Sequence, residues 1–119
     1  MQTAQFSDPG TAATTVVNIM AGSKFEFLAR PAQVRVYAVI DTTAAIPANR
    51  VILDLSLGNV VVGEARTPAV VAVDTGPFRN ENLLTSGQGA AGDRIQIRLQ
   101  NPDALAQPTR VLVDIIDLA

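Results

Sequence analysis

The chain has 119 residues, 48% hydrophobic against 17% charged side chains, so it is long enough for one core, too short for two ordinary ones and too apolar for a disordered chain. Its net charge is −2, with eight arginines and only Lys24 on the positive side, so it lacks the basic excess of a nucleic-acid binder. Cysteine and histidine are both absent, which removes disulfides, thiolate nucleophiles, Cys/His zinc sites and every imidazole-dependent triad.

Residues 1–11 carry neither a basic n-region nor an apolar h-region, and Asp8-Pro9-Gly10 is a breaker. This stretch reads as a flexible arm rather than a signal peptide, ahead of a single domain over 12–119. No apolar run approaches the roughly 20 residues of a membrane helix. A soluble protein made in the cytoplasm, with no membrane contact, is the expectation.

The predicted elements are strand after strand. Aromatics are few (Phe6, Phe25, Phe27, Phe78 and Tyr37), so the core must come from Val, Ile, Leu and Ala, and stiff β-branched side chains suit pleated surfaces. A short strand fits Thr14–Met20. Lys24–Arg30 alternates, with Phe25 and Phe27 on one face, until Pro31 removes a donor. Gln33–Ile40 points Val34, Val36, Ala38 and Ile40 inward, and Arg50–Leu57 does the same with Val51, Leu53, Leu55 and Leu57. Gly58-Asn59 then links directly to Val60-Val61-Val62, the signature of a type II′ hairpin, whose first turn position needs φ > 0.

Further along, Ala69–Val73, Gly92–Gln100 and Thr109–Leu118 read as strands. Asp41–Asn49 and 101–108 read as loops, with at most one helical turn at 103–107. The stretch 74–91 is polar and Gly-rich and reads as a long loop, of a length that tends to be functional or to pack on a partner. Seven or eight short, Pro/Gly-punctuated strands predict an all-β antiparallel sandwich of jelly-roll type.

Chemistry is hard to find. Asp54 and Glu64, on opposite arms of the Gly58-Asn59 hairpin, are the one carboxylate pair that could serve glycoside hydrolysis. They read more simply as solvent-facing strand residues, so no catalysis is expected. Asp74, Glu81 and Asp103 sit in loops without calcium-loop spacing, and GQGAAG at 87–92 lacks the Lys and helix of a phosphate cradle. No metal or cofactor is expected.

In GDRIQIRLQNP (92–102), Ile95, Ile97 and Leu99 alternate with Arg94, Gln96 and Arg98. The polar face could in principle track a single strand of nucleic acid. Only Tyr37 could supply a stacking platform, so it reads as a wet sheet face or a polar subunit contact, and direct nucleic-acid binding is not expected.

Several strands are apolar on both faces. In the last one, Val111, Val113 and Ile115 form one set, and Leu112, Ile116 and Leu118, interrupted by Asp114, form the other. A sandwich should be polar outside. Either a sister subunit covers the second set, or the 74–91 loop does.

The segment AAGDRIQIRLQNP, a short loop and then TRVLVDIIDLA, with PFRNENLL before them, resembles the closing strands of small all-β virion proteins of tailed phages. These are capsid decoration (cement) and minor capsid proteins with a jelly-roll or sandwich core. The resemblance implies a homo-oligomer, often a trimer, attached to the major capsid protein of a shell, located in the virion after synthesis in the host cytoplasm. It carries no catalytic residues over. On this reading the contact residues are Phe78, Arg79 and Asn80 of the loop, Arg94 and Arg98 of the polar face, and the apolar Leu112 and Ile116. The alternative is a small-ligand or carbohydrate-binding β-sandwich module.

Overall fold

The computed structural model describes residues 2–9, 11, 13–41, 51–72, 76–102 and 106–118. Nine strands make two sheets, and no helix occurs among the described residues: β1 (Gln2–Asp8), β2 (Thr14–Val16), β3 (Ala32–Asp41), β4 (Ile52–Leu57), β5 (Val60–Arg66), β6 (Ala69–Val71), β7 (Leu83–Gly89), β8 (Ile95–Asn101) and β9 (Thr109–Asp117). The first sheet runs β1-β9-β3, with β7 and β6 sharing the far side of β3. The second runs β2-β8-β4-β5. The all-β sandwich predicted from alternation is therefore the fold.

The pairing is nested. The β4·β5 hairpin is innermost, then β3·β7, β2·β8 and finally β1·β9, all antiparallel. The bridges β3·β9 and β4·β8 then fold this strip onto itself. Only β3·β6 is parallel among the described pairs. Inward residues from both sheets meet as alternation dictates: Val34, Val36, Ala38 and Ile40 of β3, Leu53, Leu55 and Leu57 of β4, Ile95, Ile97 and Leu99 of β8, and Val111, Val113 and Ile115 of β9. The β4–β5 turn has Gly58 at φ 61, the positive value a II′ turn requires.

Four expectations need correction. Most of the predicted N-terminal arm is strand β1, paired residue for residue with β9 from Gln2↔Ile115 to Asp8↔Thr109. The expected strand 24–30 is a run of turns with one bridge, Phe27↔Arg94. Here local bonds win over the ladder: Ser23 N–H donates to Met20 O, Glu26 N–H to Ser23 O, and Gly22 N–H to the Glu26 carboxylate. Leu28, not Phe27, is the buried residue.

The strand expected over 14–20 stops at Val16, because Asn18 takes over the backbone. Its Oδ1 accepts from Met20 N–H and Ile97 N–H, and its Nδ2 donates to Ile95 O. Finally, β7 lies inside the expected 74–91 loop. Its glycines are packing features: a Cβ on Gly87 would lie 2.8 Å from Val62 Cγ2, so the sheets close on each other there. The expected loop at 42–49, the helical turn at 103–105, Arg50, Val73, Asp74 and Asp103 lie outside the described residues.

Candidate interaction surface

The outer face of the first sheet is where apolar residues exceed what a wet face needs. Tyr37 and Val39 of β3 and Leu112 and Asp114 of β9 point away from the core, yet all four are buried. The segment ahead of β7, residues 76–82, ties across this face. Arg79 Nε and Nη2 donate to Asp114 Oδ2 and Oδ1 at 2.7 and 3.0 Å, and Thr3 Oγ1 donates to Oδ1 at 3.0 Å. From the sheet side, Arg110 donates to Gly76 O and to the Asp41 carboxylate at 2.8 Å.

The segment is built to hold this pose. Phe78 N–H donates to Asn82 Oδ1, while Glu81 and Asn82 N–H both donate to Phe78 O, closing one tight turn. Arginine's fork suits the two Asp114 oxygens, and these bonds hold the Asp114 carboxyl below the usual aspartate range although burial opposes them.

Of the second apolar set on β9, Leu112 is buried beside the chain's own 76–82 segment, whereas Leu118 is 41% exposed. Leu112, expected as an intersubunit contact, is only 5% exposed and offers no surface to a partner. Ile116 is half-buried. What the loop leaves outward is Phe78 (48% exposed), Asn80, Glu81 and Leu83 (52% exposed). Arg79 stands beside them with its guanidinium committed to Asp114.

The other expected contacts, Arg94 and Arg98, sit on the second sheet. Arg94 Nε donates to Glu26 Oε2 at 2.6 Å, and Arg98 lies 3.8 Å from Asp54. Glu26 is held below its ordinary pKa by the Gly22 N–H first and Arg94 next. Asp54, Ser56, Val61, Glu64, Gln96 and Arg98 line one shallow depression of about 260 Å³. The carboxylate pair singled out in the sequence does share a site, on an open face, with Arg98 of β8 beside Asp54.

A larger cleft, about 680 Å³, lies at the end of the sandwich where the 24–30 turns meet β1 and β9; Lys24, Phe27, Arg30 and Asp117 line it. Sequence reasoning missed it because it took 24–30 for a strand. The signal available was Gly22-Ser23 directly ahead, a turn pair. Among the described residues no three acidic side chains cluster as metal ligands.

Comparison with family models, characterised proteins and solved structures gives no match.

Proposed function

We propose that this chain is a structural virion subunit, a capsid decoration (cement) or minor capsid protein that self-associates and binds the major capsid protein of a shell. The observation carrying the reading is the nested pairing. Setting β6 aside, β1-β9-β3-β7 faces β2-β8-β4-β5, the order obtained by winding a strip of four antiparallel strand pairs. That order supports a jelly roll, an architecture used by viral capsid and lectin domains. Phe78, Asn80 and Leu83 supply an exposed apolar and polar tip for the shell contact, and Arg94 and Arg98 a polar face for directional hydrogen bonds. The role needs no catalysis, and the chain is made in the host cytoplasm and ends in the particle.

An antibody against the chain, applied to gradient-purified virus particles from the source, tests this. Co-sedimentation at a fixed ratio to the major capsid protein is expected. Recovery only in the soluble fraction overturns it. A Phe78→Ala variant that attaches as well as the parent removes the loop from the contact.

The second reading, a carbohydrate-binding module, is favoured by one observation: Asp54, Glu64, Gln96 and Arg98 converge on one depression with Val61. Thermal stabilisation by sugars, compared with calcium and with chelator, and lost in Asp54→Asn, would select it.

A further inference from the structure

We propose that a second copy of this chain pairs with the first along β1, antiparallel about a two-fold axis at Gln5, so that the first sheet runs continuously through both copies. The inference rests on the self-associating reading above and names the surface it uses.

Sheet edges offer unpaired backbone groups and are normally blunted by shortness, bulges, glycine or charge. Four edge strands among the described residues carry such protection. β2 and β6 have three residues each. β5 holds Gly63, Glu64 and Arg66 and breaks register twice against β4. β7 holds two glycines and a register shift against β3.

β1 has neither shortness, bulge nor glycine. It is seven residues long, keeps one unbroken register with β9, and carries its single charge, Asp8, at its last position. Its only strand partner among the described residues is β9.

A second observation lies beside it. The β5/β7 side of the sandwich is pinched shut, with Gly63 against Thr85 and Gly87 against Val62. The β1/β2 side is open. A groove of about 250 Å³ runs between the sheets there, with Phe6, Val16, Ile19, Leu99 and Val111 in its walls. An added strand would lay alternate side chains over that groove, as strand addition does when backbone bonds supply affinity and pockets supply fit.

β1 itself meets these requirements as the occupant. Full overlap of two seven-residue strands fixes the centre at Gln5, with Phe6 opposite the second copy's Ala4 on the groove face. Asp8 then falls opposite Gln2, so no like charges meet. Such a contact is isologous and closes at two copies, which departs from the trimer that the sequence resemblance implies.

The test is absolute mass by light scattering over a dilution series, on the parent, Gln5→Lys, Gln5→Glu and, as a control on the far edge, Val61→Lys. Gln5 is exposed, so its substitution leaves the single copy intact, which circular dichroism verifies. The expected result is a dimer for the parent and Val61→Lys. Each Gln5 variant should dissociate at a concentration about tenfold higher, and an equimolar Lys/Glu mixture should regain the dimer. Backbone amides of β1 should exchange faster with hydrogen isotope on dilution.

A parent that is monomeric throughout, or an oligomer indifferent to Gln5→Lys, overturns the pairing. A trimer of the latter kind leaves the virion reading standing. A dimer split by Gln5→Lys, in a chain never recovered in particles, supports the pairing and overturns the virion reading.

Discussion

Arg79, on the loop ahead of β7, donates from Nε and Nη2 to the two carboxylate oxygens of Asp114, 35 positions further along the chain in the middle of β9. Asp114 is 1% exposed and lies between Thr3 and Arg35 in the ladder, so the arginine is what makes a charge tolerable there. Arg79→Ala strands a buried carboxylate, whereas Asp114→Asn removes the charge with it. Asp114→Asn should therefore cost about 1–2 kcal/mol, for lost hydrogen bonds to a charged group. Arg79→Ala should cost more than that, and Arg79→Ala/Asp114→Asn less than the two summed. Urea denaturation of the three variants checks the order. Additive losses would show that the pair does not couple.

The same contact sets an acid limit. Asp114 titrates lower in the fold than in the unfolded chain, chiefly because Arg79 hydrogen-bonds its charged form. A depressed carboxylate pKa adds stability that is complete above the unfolded value, about 3.9 for aspartate, and is lost as pH falls through the lower folded value. Glu26 shifts in the same direction through the Gly22 N–H and Arg94. The urea midpoint should hold from about pH 7 to about pH 5 and then fall. It should fall less steeply in Asp114→Asn. An identical acid slope in that variant would assign the loss to other carboxylates.

How much of this was legible depended on where packing, rather than pattern, decides. Alternation marked β3, β4 and β8, a run apolar on both faces marked β9, and the Gly58-Asn59 turn needed only its own residues. β7 was hidden since LLTSGQG looks like a loop; its glycines answer to Val62, and Gly63 of β5 to Thr85, contacts no local window contains. Phe25 and Phe27 imitated a strand because alternation is blind to the turn bonds around Glu26. At the candidate site, Phe78, Arg79 and Asn80 stood out as a long-loop cluster. That Arg79 would turn back onto Asp114, and that Leu112 would be buried, required the fold, since β9's outward apolar set reads equally as a subunit contact.

Asn18 is the polar residue most tightly written into the second sheet. One side chain satisfies the N–H groups of Met20 and Ile97 and the carbonyl of Ile95. Asn18→Leu leaves buried backbone groups without partners and should cost about 2–4 kcal/mol. The neighbouring Ile19→Leu, which conserves volume beside it, should cost less than about 1.5 kcal/mol. Thermal unfolding of both variants checks this. Equal melting temperatures would mean that water replaces the amide.

The closed side of the sandwich makes the last expectation. A Cβ at Gly63 would lie 2.1 Å from Thr85 Oγ1 and 2.7 Å from Thr85 Cβ, and Thr85 is itself buried on β7. Gly63→Ala cannot be absorbed by the far end of a flexible side chain, so β5 and β7 must move apart. The cost should be about 1–3 kcal/mol, as for an extra methyl forced into a packed core. Gly22 has nothing within 4 Å of its would-be Cβ, and its φ of +80 charges Gly22→Ala only for backbone conformation, about 1 kcal/mol. Amide hydrogen exchange separates the two mechanisms. Gly63→Ala should speed exchange along β5 and β7 together, and Gly22→Ala only within its own turn. If β7 stays protected in Gly63→Ala, the two sheets can part at that edge without loss. The contrast between a pinched β5/β7 side and an open β1/β2 side would then lose its physical basis.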